Sequence, residues 1–299
     1  MKAIICGGTG FIGTALTQYW LQAGHEIIIV SRKTPEEAIS HSKLLYRTWD
    51  GLTNDPEPAE EAHVLVNLAG ASLSQRWNAR GKSLIRQSRI ETGAAAGNLL
   101  GLLKSKPQVI IQASAVAIYG TSFSETFDES SPSRVMDFPS EVVKTWEDAA
   151  DQTYEGVRLV KLRTGVVLGN EGGAFPKMKL PYMLGFVGKI GSGRQWLSWI
   201  HLADMVALID YCAACSDISG PVNATAPDPV TNDRFGAAVG QVYSRPHWFP
   251  LPAFLLRAAL GELSEILLKG QRVLPAKLLQ HGFVFTYPDL PKALRQLRT

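Results

Sequence analysis

Apolar runs alternate with helical patterns along the first half of the chain. Residues 3–6 and 27–30 are short apolar runs that predict strands, and apolar residues at helical spacing between Ala15 and Trp20 predict a helix between them. The same patterns predict further strands at 44–49, 62–68, 109–113 and 157–162, helices at 79–103 and around 146–150, and a surface helix or loop at 55–61. Such alternation predicts a parallel sheet with helices on both faces.

The pattern changes after Gly169. Glycine, proline and aromatic residues are dense between 172 and 199, and mostly helical segments follow, with short strands predicted near Val222 and Phe283. We interpret residues 1–170 as a Rossmann domain, an α/β doubly wound parallel sheet that parts of 195–230 complete. Residues 171–299 form a smaller C-terminal substrate lobe and extension in this interpretation.

A glycine-rich turn joins the first strand to the first helix. Gly8, Gly10 and Gly13 fit the spacing GxGxxG, and Gly7, Gly10 and Gly13 also fit GxxGxxG. Glycines there permit a tight turn, close approach of the backbone to a pyrophosphate, and close packing of helix on strand. The helix N-terminus adds free N–H groups and the positive end of a dipole. A strand–turn–helix unit of this kind predicts a dinucleotide site.

The residues at the end of the second predicted strand indicate which dinucleotide binds. Ser31, Arg32 and Lys33 follow the apolar run, and the next carboxylate is Glu36. A site for NAD(H) favours an acidic residue for the ribose 2′-hydroxyl, whereas a 2′-phosphate favours cations and hydroxyls. We therefore predict NADP(H), with Arg32 stacked near the adenine and binding the phosphate beside Ser31. The alternative is a solvated pair of loop charges.

Composition narrows the function classes. The 299 residues are 45% hydrophobic, enough for one large core with a smaller lobe, and a net charge of +3 without basic runs interleaved with aromatics gives no sign of nucleic-acid binding. Three cysteines, including Cys212 and Cys215 as a lone CxxC, fit reduced thiols better than a metal site. No apolar run reaches the ~20 residues of a membrane span, and the first strand leaves no room for a signal peptide. We expect a cytoplasmic protein without bound metal. The apolar face of 252–270 is expected to form core or homodimer contacts.

Several motifs together resemble a known superfamily. GGTGFIG, SRK, NLAG, SRIETG, ASAVAIYG, LRTGVVLG and GSGRQWLSWIHLAD resemble the extended short-chain dehydrogenase/reductases. More narrowly, with VLPAKLLQHGFVFTYPDL near the C-terminus, the chain is similar to the NADP-binding, epimerase-like subfamily with a characteristic C-terminal extension (NAD-dependent epimerase/dehydratase family). The resemblance implies a Rossmann domain, NADP(H) and a small substrate lobe. It assigns cofactor binding to Gly7, Thr9, Gly10, Phe11, Ile12 and Gly13 at the phosphate turn, and to Ser31, Arg32, Leu68, Ala69, Arg89 and Val167.

The resemblance leaves the acid/base chemistry open. Reductases and epimerases of the superfamily use a tyrosine, a lysine four residues later, and a serine; the lysine charge lowers the tyrosine pKa so that it exchanges a proton with the substrate oxygen. Ser114 fits the serine position, but no tyrosine in this sequence has lysine four residues later. Lys144 is the candidate active-site cation, and an exposed helix lysine is the alternative that we favour.

Substrate-binding candidates come from two segments. Arg163 stands at the exit of the strand at 157–162, and Arg194, Gln195 and Trp199 lie in a segment rich in glycine and aromatic residues, which suits recognition of a polar or anionic molecule. His201 and Asp204 also lie there, and we favour a strand end and a helix cap for them.

Two functions remain open at this point. The first is an NADP(H)-dependent oxidoreductase or epimerase-like enzyme that acts on a carbonyl or hydroxyl group of a small molecule, nucleotide-linked sugars included, with Ser114 polarising the oxygen. The second is a non-catalytic NADP(H)-binding sensor or regulatory protein, which the missing Tyr/Lys pair favours.

Overall fold

A computed structural model of the chain describes residues 1–33, 40–183, 185 and 188–298. Glu36, the first carboxylate after the second predicted strand, lies outside these residues. The strands are β1 Lys2–Cys6, β2 Glu26–Ser31, β3 Leu44–Thr48, β4 Val64–Asn67, β5 Val109–Ala115, β6 Thr126–Phe127, β7 Arg158–Thr164, β8 Val166–Leu168, β9 Trp196–Leu197, β10 Trp199–His201, β11 Gly220–Ala224, β12 Val230–Thr231 and β13 Arg272–Val273.

Helices occupy most of the intervening chain. They are α1 Phe11–Gln22, α2 Trp49–Asn54, α3 Ala79–Leu102, α4 Phe138–Thr153, α5 Phe175–Met183, α6 Leu202–Ala214, α7 Asn232–Tyr243, α8 Ala253–Leu260, α9 Glu265–Leu268, α10 Ala276–Gln280 and α11 Leu290–Gln296. Single turns of 3₁₀ helix lie at Glu57–Ala59, Val116–Tyr119 and Gly261–Ser264. None of the helices within the described ranges is both long enough and apolar enough to cross a membrane.

The central sheet has seven strands in the order β11-β7-β5-β4-β1-β2-β3, and every neighbouring pair is parallel. Alternate residues of β1 enter different cores, because successive side chains of a strand point to opposite faces. Ala3 and Ile5 pack with Leu16 of α1 and Leu208 of α6 on one face. On the other face, the residues of β1 pack with α3 and α4. This is the predicted doubly wound α/β sheet, with β11 at one edge.

A third core lies in the C-terminal part of the chain. Phe175, Trp199, Phe235 and Leu294 belong to it, from α5, β10, α7 and α11. Small two-stranded pairings, β8 with β10 and β9 with β12, join this core to the end of the sheet. The boundary at residue 170 stays a prediction. Both β11, which is a strand of the sheet, and α6, which packs on the sheet, follow that residue.

One strand prediction is wrong. Residues 283–285 form a short apolar run of the kind found in strands, yet the structure describes no strand there. The rings of Phe283 and Phe285 instead meet edge to face at 4.8 Å. The next two backbone amides, of Thr286 and Tyr287, donate to the carboxylate of Asp204. A side chain therefore takes the backbone donors that a neighbouring strand would have used.

Leu16 tests how much the first helix contributes to stability. It is fully buried between the sheet and α6. We expect Leu16→Ala to lower the free energy of unfolding by about 2–5 kcal/mol, because the truncation leaves a cavity in a core that closes only in part. Urea unfolding measures the free energy of unfolding of each variant. Tyr19→Ala in the same helix, where the side chain is 42% exposed, is the control and should cost much less. Equal losses in the two variants would contradict this packing.

Candidate cofactor groove and substrate cavity

The glycine turn closes tightly on the ends of β2 and β4. Gly7 has a φ of +78°, and its amide donates to the carbonyl of Val30 at 3.1 Å. A Cβ on Gly7 would lie 3.0 Å from the amide nitrogen of Ala69, and a Cβ on Gly13 would collide with the carbonyl of Gly7. The backbone can take this path only with glycine at these positions. The turn therefore lies directly against the segment of Leu68 and Ala69.

The N-terminus of α1 is open to an anion. Gly10 is the N-cap and has no side chain to satisfy the first turn, which also lacks acidic residues. The amide of Thr14 donates to Gly10 at 2.8 Å, so the amides of Phe11, Ile12 and Gly13 have no acceptor within the helix. These amides and the helix dipole suit a phosphate.

The end of β2 has hydroxyl and cationic groups. The Ser31 hydroxyl donates to the carbonyl of Lys33 at 2.7 Å, and Arg32 is exposed. The Gly7 amide donates to the carbonyl of Val30, so Ser31, the next residue, lies close to the phosphate turn. The residues fit a phosphorylated ribose at this end of the groove.

Arg89 lies beside the exit of β4. Its guanidinium donates to the carbonyls of Ala71 (3.1 Å) and Ile85 (2.8 Å), and its carbon lies 4.9 Å from the ring centroid of Trp146. Burial lowers the pKa of Arg89 to about 10. In this structure Arg89 holds the loop that follows Ala69, and its contact with a cofactor stays a prediction.

A glycine-rich loop packs on Phe11. Cβ atoms on Gly169 and Gly172 would lie 2.6 and 3.0 Å from the Phe11 ring, and Gly173, with a φ of +72°, contacts the same ring. The loop follows β8, whose central residue Val167 is almost fully buried. The phosphate turn and the segment of Val167 are therefore in contact through one aromatic ring.

A buried polar network lies beneath the end of β5. The Ser114 hydroxyl donates to Glu147 Oε1 at 2.6 Å. Arg163 binds the same carboxylate twice, at 2.9 and 2.8 Å, and donates to the Tyr119 hydroxyl at 2.9 Å. The Tyr119 hydroxyl donates to Asn223 Oδ1 at 2.7 Å. The network joins α4, β5, β7 and β11.

Burial and charge act in opposite directions on this network. Burial lowers the pKa of Arg163, but the hydrogen bonds and charge of Glu147 more than offset it, so the net pKa is raised. Burial raises the pKa of Tyr119 to about 12, although Arg163 partly opposes this. Tyr119 is therefore a neutral hydrogen-bonding group at ordinary pH.

Sequence reasoning missed Glu147, Tyr119 and Asn223 as members of this network. The available signal was the position of Glu147 on the apolar face of α4, between Trp146 and Ala150. A carboxylate on a buried face needs a buried partner.

The structure does not bring the two predicted catalytic residues together. Lys144 binds Asp148 one turn later at 2.6 Å, and both side chains are roughly half exposed. The Ser114 hydroxyl donates its hydrogen bond to Glu147. Tyr154, the other tyrosine near α4, has a buried hydroxyl that donates to Gln112 at 3.1 Å. A catalytic role for Ser114 or Lys144 stays a prediction.

A cavity of about 420 Å³ opens beside the same strand ends. One wall follows Ser114 and consists of Ala115, Val116 and Ala117. A second wall, Thr164, Gly165 and Val166, precedes Val167. Further lining comes from Trp77, Phe138 and Pro139, from Trp196, Leu197 and Ser198, and from the 262–271 segment. The cavity therefore lies between the sheet and the C-terminal lobe.

The structure places the four predicted substrate residues away from this lining. Arg163 is in the buried network, and Arg194 is exposed. The Gln195 amide donates to the carbonyls of Ile190 and Leu267, and the Trp199 indole donates to Asp228. These side chains support the lobe, while the residues between them, Trp196, Leu197 and Ser198, line the cavity.

His201 has the structural roles that we favoured, as the last residue of β10 and the N-cap of α6, whereas Asp204 lies in the first turn of α6 and is not its cap. His201 Nδ1 accepts the amide of Ala203 at the start of α6, and Asp204 binds two backbone amides of the C-terminal extension. Across the described ranges, no three His, Cys, Asp or Glu side chains are grouped as for a metal ion. Cys212 is buried, which raises its pKa to about 12.

The Arg163–Glu147 pair should be a major contributor to stability. We expect Arg163→Met to lower the free energy of unfolding by about 3–5 kcal/mol, because Glu147 would remain buried with only the more distant Lys161 ammonium, 3.8 Å from its Oε2, as a counter-charge. Lys144→Met, which removes an exposed pair from the same helix, should cost about 0–1 kcal/mol. Chemical denaturation measures both. Adding Glu147→Gln to Arg163→Met should recover part of the loss, and similar losses in the two single variants would show that Glu147 is not buried as described.

Two family models match the chain. The model described as the NAD dependent epimerase/dehydratase family covers residues 3–223, and a domain of unknown function, DUF1731, covers residues 251–297. "Epimerase family protein YfhF" of Bacillus subtilis is 44% identical, with 99% of this chain and 98% of the relative covered. "Epimerase family protein SDR39U1" of Homo sapiens is 36% identical, with 99% of both chains covered.

Solved structures agree with the sequence matches. A crystal structure of human epimerase family protein SDR39U1 (isoform 2) with NADPH has a TM-score of 0.90 and 35% identity, covering 99% of both chains. A nucleoside-diphosphate sugar epimerase from Corynebacterium glutamicum has a TM-score of 0.78 and 31% identity over 99% of this chain and 58% of that one. The resemblance read from the motifs is confirmed: the chain belongs to the NAD dependent epimerase/dehydratase family and carries the DUF1731 domain at its C-terminal end.

Proposed function

We propose that this chain binds NADP(H) along the glycine turn and transfers a hydride between the nicotinamide and a small carbonyl or hydroxyl compound in the adjoining cavity. One observation carries the proposal. The cavity walls are the residues directly after Ser114 and directly before Val167, so a nicotinamide beside Val167 would border the cavity.

The groove supports the choice of cofactor. The open N-terminus of α1 offers amides to the pyrophosphate, and Ser31 and Arg32 offer a hydroxyl and a cation to the 2′-phosphate. The human relative, 35% identical, was crystallised with NADPH. When bound, NADP(H) supplies or accepts the hydride.

Reduction of a carbonyl also requires a proton at its oxygen. Ser114 directly precedes the lining residue Ala115, and we propose that its hydroxyl polarises the substrate oxygen after its proton turns away from Glu147. The hydride for the carbonyl carbon would come from bound NADPH, and the proton for the oxygen would come from solvent water, because Ser114 donates a hydrogen bond only; oxidation of an alcohol is the reverse. Arg163 keeps Glu147 paired throughout and so holds Ser114 in position.

A second candidate is a non-catalytic NADP(H)-binding sensor. The hydroxyls of Tyr119 and Tyr154 are both buried and bonded inside the protein, and Lys144 is bound to Asp148. The wall beside Ser114 consists of Ala115, Val116 and Ala117, which carry no acid or base. These observations favour binding without turnover.

Arg32 tests the cofactor. We expect Arg32→Asp to weaken NADPH binding by about 10- to 150-fold, because a charge-assisted hydrogen bond is worth about 1.5–3 kcal/mol. Binding of NADH, which lacks the 2′-phosphate, should weaken much less, because it would lose only the stacking of Arg32 near the adenine. Titration calorimetry gives both affinities. Arg234→Asp makes the same charge change at an exposed position of α7 and serves as control. Tighter binding of NADH than NADPH by the unmodified protein would overturn the choice of cofactor.

Turnover separates the two candidate functions. NADPH-loaded protein is mixed with ketones, aldehydes and sugar nucleotides while nicotinamide absorbance is followed, and products are analysed because an epimerase would regenerate its cofactor. We expect turnover that falls at least about 100-fold in Ser114→Ala with unchanged NADPH affinity. Ser216→Ala, at an exposed serine, should keep full activity. Tight NADPH binding with no product from any compound would support the sensor.

A further inference from the structure

The cavity wall is mainly apolar. Val116, Phe138, Val166, Leu197 and Ile266 line it with two tryptophans, Trp77 and Trp196. Trp77 and Phe138 meet edge to face with ring centroids 5.2 Å apart. Such a surface gains free energy when it contacts apolar groups and loses it when it removes water from charged ones.

The polar atoms of the aromatic lining are already used. The Trp77 indole donates to the carbonyl of Leu73 at 3.1 Å, and the Trp196 indole donates to that of Phe123 at 3.0 Å. Both tryptophans can therefore offer a ligand their ring surfaces but not their N–H groups. The guanidinium of Arg272 lies 5.1 Å from the Trp196 ring centroid, and Arg272 does not itself line the cavity.

The lining hydroxyls of Ser198 and Thr164 are bonded inside the protein as well. The Ser198 hydroxyl donates to Gln271 at 2.8 Å and accepts the amide of Val273 at 2.9 Å. The Thr164 hydroxyl donates to Leu162 at 3.1 Å. Neither hydroxyl can donate to a sugar without losing a bond within the protein, so each can offer a ligand only an acceptor.

The charges around the cavity do not suit an anion. Lys82 is paired with Glu262, and Lys269 is paired with Glu265 at 3.0 Å. The fifth charged lining residue, Asp137, accepts hydrogen bonds from Ser140 at the start of α4. Two lysines against three carboxylates give the lining a formal charge of −1. A nucleotide sugar brings two phosphate groups, which require unpaired cations.

From these observations, and on the basis of the proposed function, we infer that the cavity takes a compact, uncharged and mainly apolar carbonyl compound or the matching alcohol, and not a nucleotide sugar. The volume of about 420 Å³ lies toward the small end of the range of about 300–1,000 Å³ for small-molecule sites. The two tryptophans make a flat, aromatic substituent the best fit.

A matched pair of probes tests the charge preference. Methyl benzoylformate and benzoylformate share an aromatic ring and a ketone, but only the second is an anion. We expect NADPH-loaded full-length protein to bind the ester at least tenfold more tightly than the acid, and to bind UDP-glucose more weakly than the ester. Saturable quenching of tryptophan fluorescence and the ligand-induced shift in melting temperature measure binding without relying on turnover.

Charge variants give a second, independent test. Glu262→Gln with Glu265→Gln changes the lining charge from −1 to +1. We expect this double variant to bind benzoylformate at least fivefold more tightly than the unmodified protein, and the ester within twofold. Glu155→Gln is the matched control, because this exposed residue follows the far end of the 16-residue α4, roughly 24 Å from its start. It should leave both affinities unchanged.

Each outcome decides between the substrate classes. The inference is overturned if UDP-glucose or benzoylformate binds more tightly than the ester, or if the NADPH-loaded protein binds no ester at all. Failure of the proposed function is seen separately, as an absence of NADPH binding or of turnover with every compound. UDP-glucose turnover would sustain the proposed function and overturn only the substrate class.

Discussion

The pairing of Glu147 with Arg163 is the interaction on which the architecture of the site depends. Removing both charges from water is costly, and the bidentate geometry, the added bonds to Ser114 and Tyr119, and the Lys161 ammonium 3.8 Å from Glu147 compensate for it. Because Glu147 comes from α4 and Arg163 from β7, the pair fixes the helix against the sheet. Tyr119 extends the connection through Asn223 to β11.

This constraint reaches the cavity through the strand ends. Ser114 and Arg163 are the penultimate residues of β5 and β7, and the cavity walls begin immediately after Ser114 and Arg163. The walls therefore start from two points that one ion pair holds in place. The same pair binds the hydroxyls of Ser114 and Tyr119. A mainly apolar chamber can therefore lie directly beside one of the most polar parts of the interior.

Much of the fold could be predicted from the sequence because its signals are local. Apolar runs buried on both faces produced the strands of the sheet, and the long helix predicted at 79–103 is α3 at Ala79–Leu102. The phosphate turn was equally accessible, since its glycines, strand and helix are contiguous. The strand prediction around Phe283 failed because the rings of this short apolar run pack on each other and Asp204 binds the following amides.

The cavity could not be predicted in the same way, because its lining depends on pairings between distant segments. Gln195 and Trp199 were reasonable choices by residue type, but β9 pairs with β12 and β10 with β8. These pairings turn Trp196, Leu197 and Ser198 toward the cavity. Lys144 differs, because Asp148 four residues later on the same helix is a sequence signal for the i,i+4 ion pair that the two residues form.

Phe11 has a consequence for the evolution of the family. Its ring fills the space that side chains at Gly169 and Gly172 would need, and it also touches Gly173. The ring at position 11 and any side chains at 169 and 172 therefore compete for the same space. A homologue with a small residue at the first position has room for larger residues at the other two, so substitutions at these sites should occur together and rarely alone.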